Sequence, residues 1–244
     1  MLHPSLEGAR ACVFDAGGTL VHPDWPRLGA LAADEAGREL APAELARALK
    51  EVLRAVAEEM QREGWAIPED QKLPHWTFRR MYCSLGLSDE ACGRVIERLG
   101  ASHIERHLWC GTDPEAAGVI AELKRRGLLV GVISNTEDGR AADSLEAAGL
   151  LKEFDVVIDS RLVGVRKPDP AIFRLALERL GVGPAEAAFV GDSYAHDALA
   201  ARAAGMRAVL LDPLGLHPES VCPRIKRLGE LINQESEVRI RETE

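Results

Sequence analysis

The chain has 244 residues, enough for one large α/β domain or for a core domain carrying a smaller insert. Hydrophobic residues make up 46% and charged residues 28%, proportions ordinary for a soluble globular protein. A formal charge of −9 and a pI near 5.4 argue against nucleic acid or an anionic membrane as partner, because both would repel it.

The first element in chain order is Ala11-Cys12-Val13-Phe14-Asp15, an apolar run that ends at a carboxylate before Gly17-Gly18. This is the pattern of a buried strand breaking into a turn. From His22 to Cys110 the character changes. Residues 28–61 are rich in Ala, Leu, Glu and Arg at helical spacing, further helices are predicted over 76–85 and 89–99, and no strand is expected there. The four tryptophans, Trp25, Trp65, Trp76 and Trp109, all fall in or at the edge of this block, where they would fill a small helical core. Residues 64–76 mix aromatic, charged and proline residues between helices, which fits either a specificity loop over a crevice or an ordinary interhelical connection.

Past Pro114 the pattern alternates. Helices over 115–126, up to Ala148, over 170–180 and over 196–204 separate strands at 128–133, 156–158, 187–190 and 208–211. The expected fold class is α/β, a Rossmann-like doubly wound parallel sheet interrupted after its first strand by an inserted all-helical domain. The expected bounds are 1–21 and 111–235 for the core, 22–110 for the helical insert and 236–244 for a charged, frayed tail.

The five cysteines are odd in number and contain no CxxC pair, so reduced thiols in a cytoplasmic protein are expected. The N-terminus lacks a basic stretch followed by an apolar one. No apolar stretch approaches the roughly 20 residues of a membrane helix.

In an open parallel sheet, polar groups at the carboxyl ends of strands converge on one crevice. Four such ends carry them here: Asp15 to Thr19, Ser134 with Asn135, Lys167 just before a helix that Pro170 could start, and Gly191-Asp192-Ser193 followed by Asp197. Singly each has an ordinary explanation, as a turn former, a helix cap or a solvated charge. In this order, each at a strand end, they form a coherent set.

That set resembles the haloacid-dehalogenase superfamily over nearly the whole chain. Asp15-x-Gly17-Gly18-Thr19 looks like its first motif, Ser134 its second, Lys167 its third, and Gly191-Asp192-Ser193-x-x-x-Asp197 its fourth. The helical insert lies where members with a C1 cap carry it. The resemblance implies a Mg²⁺-dependent phosphatase acting on a small phosphorylated metabolite, with Asp15 as covalent nucleophile and Lys167 and Ser134 as catalytic partners. It places Thr19, Ser134, Asn135 and Lys167 against the substrate. Asp15, the backbone carbonyl of Gly17 and Asp192 would hold the metal, with Ser193 and Asp197 in support. The chemistry agrees, since a carboxylate held in line attacks phosphorus only where the non-bridging oxygens are neutralised. A homodimer is compatible with the sequence.

One departure stands out. Most phosphatases of this family carry a second aspartate two residues after the nucleophile as acid/base, and here that residue is Gly17. A positioned acid/base is worth about 10²–10⁴-fold. Proton transfer could come from the insert, from water or through a substrate with a good leaving group. His22, near the insert hinge, is a candidate substitute or simply a hinge residue with no proton role, and His75 and His196 are weaker candidates. Replacing Gly17 by Asp is expected to raise activity on esters with poor leaving groups. The alternatives are a 2-haloacid dehalogenase, a phosphonatase using a Schiff-base lysine from the insert, and a phosphate-binding regulatory module without turnover. Against the first, Asp192 supplies a metal-site carboxylate that the haloacid enzymes lack. Against the second, Lys50 and Lys72, the lysines of the insert, have no sequence context that marks them.

Overall fold

The computed structural model describes residues 1–232; the charged tail expected over 236–244 lies outside the described residues. Five of the core strands are β1 (Ala11–Phe14), β4 (Leu129–Ser134), β5 (Val156–Asp159), β6 (Ala187–Gly191) and β7 (Arg207–Leu211). With the two-residue β8 (Arg224–Ile225) they form a parallel sheet in the order β5-β4-β1-β6-β7-β8. Within each strand, alternate side chains point to opposite faces. Cys12, Phe14, Val130, Val132, Ala188 and Val190 therefore pack on one side, with α5 (Ala116–Arg125) and α6 (Ala141–Ala147). Ala11, Val13, Ile133, Ala187 and Phe189 pack on the other, with α8 (Pro170–Leu180) and α9 (Ala200–Ala203).

β1 is central, hydrogen-bonded to β4 on one side and β6 on the other. The chain thus leaves β1 for β4 in one direction and later fills the other with β6. Strand order reverses at β1, and the crevice of a doubly wound sheet opens at such a switch point.

The insert between β1 and β4 is helical: α1 (Trp25–Ala36), α2 (Pro42–Arg62), α3 (Trp76–Ser84) and α4 (Asp89–Glu105). They close around their own core of Leu28, Leu45, Val52, Phe78, Met81, Tyr82 and Leu99. The helical spacing over 28–61 is realised as two helices. Gly37 ends α1 in the left-handed conformation at φ 65°, and Pro42 starts α2.

The expectation of no strand between 22 and 110 is corrected. β2 (Val21–Pro23) and β3 (Trp109–Thr112) pair antiparallel where the chain enters and leaves the insert. At three and four residues they are too short to show a period, and only their pairing across the insert makes them strands. The tryptophans also divide. Trp76 is buried, Trp25 and Trp109 pack against the helical core, and Trp65 is 43% exposed, outside that core. Cys83 and Cys92 are free thiols with sulfurs 2.7 Å apart. No described helix is long and apolar enough to cross a membrane.

Candidate active site

A cavity of about 490 Å³ lies between the sheet's carboxyl ends and the helical insert. Asp15, Gly17, Ser134, Asn135, Lys167, Asp192, Ser193 and Asp197 line it. Thr19 is wholly buried, its hydroxyl has no partner, and it is not part of the cavity wall.

Asp15 leaves β1 with its backbone N–H bonded to the Val190 carbonyl at 2.8 Å, so its position is set by the sheet. The expectation that Lys167 stands at a strand end is corrected, because the short helix α7 (Ser160–Val163) follows β5 and Lys167 arrives from the loop before α8. Its backbone is pinned by Asn135, whose amide accepts from Lys167 N at 2.9 Å and donates to Lys167 O at 2.9 Å. The side-chain amide expected to contact substrate thus orients the lysine. Lys167 Nζ then donates to Asp15 Oδ1 at 2.5 Å and to Asp197 Oδ1 at 2.7 Å. Asp197 sits on a π-helical turn (Tyr194–Leu199) and accepts Ser193 N at 2.9 Å through its other oxygen.

Asp15 Oδ2 is buried without a partner, and carboxylate oxygens of Asp15, Asp192 and Asp197 lie within 4.8 Å of one another. Burial raises the pKa of Asp15, Lys167 opposes that, and the charges of Asp197 and Asp192 add to it. Asp197 is raised as well, again chiefly by burial. Burial works against the charge on Lys167, but Asp15 and Asp197 together hold its pKa above the usual lysine value. An orphaned carboxylate oxygen within a cluster of three carboxylates suits a hard divalent cation with oxygen ligands. The main chain folds tightly beside it: Gly18 has φ 90°, and a Cβ there would fall 2.3 Å from Asp192 Oδ2.

The structure brings Lys50, which no sequence context marks, to the carboxylate cluster. It projects from α2, and its Nζ donates to Asp192 Oδ2 at 2.5 Å and to the Gly18 carbonyl at 3.1 Å. Asp192 and Lys50 are 142 positions apart, so no local pattern marks the pair. Lys72, by contrast, only pairs with Glu69 on the exposed surface.

The three histidines considered as acid/base separate cleanly. His22 faces Asp113 at 3.7 Å on the β2–β3 ribbon, outside the cavity wall. His196 has both ring nitrogens engaged, Nδ1 with Ser193 Oγ at 3.2 Å and Nε2 with Gln71 Oε1 at 3.0 Å. Burial, then the charges of Lys167 and Arg166, bring its pKa down to about 4. His75 does line the cavity, and its backbone N–H donates to Glu137. Pro74, His75 and Trp76, the end of the 64–76 segment, are cavity wall.

Gly17 lies under an indole. A Cβ at this position would be 3.1 Å from Cζ3 and 3.3 Å from Cε3 of Trp109. A side chain at this position needs the indole to give by a few tenths of an ångström.

The comparisons with known proteins agree with this geometry. A family model described as haloacid dehalogenase-like hydrolase matches residues 9–205. A phosphoserine phosphatase of Thermus thermophilus is 46% identical over 106 residues, 43% of this chain and 42% of that protein. Haloacid dehalogenase-like hydrolase domain-containing protein 3 of Danio rerio is 32% identical over 187 residues, 74% of each chain. This chain therefore spans less than half the length of the Thermus relative. A crystal structure of a dehalogenase aligns with TM-score 0.61 and 25% identity, over 91% of this chain and 95% of that one.

Proposed function

This chain belongs to the haloacid dehalogenase-like hydrolases, and from that premise we propose that it is a Mg²⁺-dependent phosphatase acting on a small phosphorylated metabolite through an aspartyl-phosphate intermediate. The observation that carries this reading is the Asp15 carboxylate, tethered by one oxygen to Lys167 at 2.5 Å while its other oxygen is buried and unpartnered.

Asp15 is the nucleophile. Lys167 fixes its carboxylate and offers positive charge to the phosphoryl oxygens, and the Ser134 hydroxyl is a hydrogen-bond donor on the same wall. Asp197 and Asn135 position Lys167. Asp15, Asp192 and the Gly17 carbonyl would hold Mg²⁺, which neutralises charge on the transferred group. Displacement at carbon in a dehalogenase needs no metal, so the surplus of carboxylates favours phosphoryl transfer.

The test is hydrolysis of 4-nitrophenyl phosphate with and without Mg²⁺. Metal-dependent turnover that Asp15→Asn abolishes supports the phosphatase; saturable phosphate binding with no turnover would support a regulatory module instead. A second reading rests on Lys50. An amine from the insert that reaches the site suits a carbon–phosphorus hydrolase that forms an imine with an aldehyde phosphonate. Borohydride inactivation that appears only with such a phosphonate present, and is lost in Lys50→Met, would select it.

A further inference from the structure

Resting on the phosphatase reading, we propose that this site is built for phosphates whose leaving oxygen departs as a stable anion on an apolar, planar body, namely aryl or aromatic acyl phosphates. An alkoxide cannot leave phosphorus readily unless a positioned group protonates it, and that is the service a general acid performs. Here the position two residues past the nucleophile is glycine and carries no side chain, and the Trp109 indole lies 3.1–3.4 Å from where a Cβ of residue 17 would stand.

The two ammonium groups near Asp15 are held by carboxylates and a carbonyl. Lys167 is shared between Asp15 and Asp197, and Lys50 donates to Asp192 and the Gly18 carbonyl. Of the cavity-wall histidines, His75, His103 and His107 each have a ring nitrogen facing a carboxylate or a backbone group. His103 Nδ1 takes the Leu108 N–H at 3.1 Å while its Nε2 meets Asp138 at 2.7 Å. His107 Nδ1 takes the Trp109 N–H at 3.3 Å, and His75 stands beside Glu137.

The rest of the space fits an apolar leaving group. Trp76, Phe78 and Trp109 line it with Leu49, Leu53 and Ile104. The Phe78 and Trp109 rings lie 5.7 Å apart between centroids at 32°, presenting aromatic surface toward which a flat ring can stack.

The steps balance without a proton donor. The Asp15 carboxylate bonds to phosphorus, and the electron pair of the breaking P–O bond leaves on a phenolate or carboxylate. Water then attacks the aspartyl phosphate, the P–O bond to Asp15 breaks, and both protons of the water stay on the released dihydrogen phosphate. The carboxylate is restored.

The experiment measures kcat/KM for the Mg²⁺-loaded protein on substituted phenyl phosphates, benzoyl and acetyl phosphate, propyl phosphate and O-phosphoserine. The expected result is a steady fall in log kcat/KM as leaving-group pKa rises. The alkyl esters should lie below phenyl phosphate by at least the roughly 10²–10⁴-fold that a positioned acid is worth. Benzoyl phosphate should exceed acetyl phosphate. A flat series, with alkyl esters equal to aryl ones, overturns the leaving-group assignment but leaves aspartyl-phosphate chemistry standing. Acetyl phosphate equal to or better than benzoyl phosphate overturns the apolar-body assignment. No turnover on any ester, with no Asp15-dependent phosphoenzyme, overturns the inference and the phosphatase reading together.

Discussion

The ammonium of Lys50, on the helical insert, lies 2.5 Å from Asp192 Oδ2, at the end of the core strand β6. One ion pair thus ties the insert to the carboxylate cluster, and it occupies an oxygen that a divalent cation would compete for. Lys50→Met should therefore tighten Mg²⁺ binding by about tenfold, equivalent to about 1.4 kcal/mol. Calorimetric titration with Mg²⁺ alone measures it. Unchanged or weaker binding would show that the two cations do not contend for Asp192.

Lys167 is 2% exposed and stands between Asp15 and Asp197. Removing the charge leaves two buried carboxylates facing each other, which is costlier than deleting a surface pair. Lys167→Met should lose measurable turnover and about 3–5 kcal/mol of stability by urea unfolding without metal. Lys167→Arg should not rescue activity, because the planar guanidinium cannot replace a point charge shared between two carboxylates. A variant that unfolds like the wild type would contradict the pairing.

Gly17 and Trp109 form a coupled site, so their substitutions should not add. Gly17→Asp alone should leave O-phosphoserine hydrolysis unchanged or lower, since the carboxylate meets the indole. Gly17→Asp with Trp109→Val opens the space, at a cost of a few kcal/mol of packing. The pair should raise kcat/KM on that alkyl ester about 10²-fold or more over Trp109→Val alone. Circular dichroism checks that both variants fold, and no gain in the folded double variant refutes the coupling.

His196 gives a pH dependence of definite sign. Its pKa is about 4 in the folded protein and ordinary for histidine when unfolded. Between those values the unfolded chain binds the extra proton, so stability is full above the unfolded pKa and falls as pH drops toward 4. Wild type should lose about 2 kcal/mol more than His196→Gln between pH 7 and pH 4.5, read from metal-free urea unfolding at both pH values. Equal losses would place the His196 side chain in a more solvated setting than the bonds to Ser193 and Gln71 describe.

The sheet and its polar strand ends were legible because both are local properties. A short apolar run followed by a carboxylate, as at Phe14-Asp15, reads as a buried strand with a polar tip from neighbouring residues alone, and the same holds at Ile133-Ser134 and Val190-Gly191-Asp192. Parallel βα alternation then brings those tips to one edge of the sheet. The β2–β3 ribbon was not legible, because Val21–Pro23 and Trp109–Thr112 acquire strand character only by pairing with each other.

By itself, then, the sequence determined the parallel α/β core and the helical insert, which depend on periodicity within a few residues. It held Asp15, Ser134 and Asp192 at or just past apolar runs, whereas Lys167 was singled out by the order of the family's motifs. Only the tertiary structure decided that Lys50 reaches Asp192, that Asn135 serves Lys167, that Trp109 fills the space over Gly17, and that His22 and His196 are engaged elsewhere. Those facts depend on how the insert's helices are rotated and set down over the core. That placement comes from packing many side chains distant in sequence, and no local pattern encodes it.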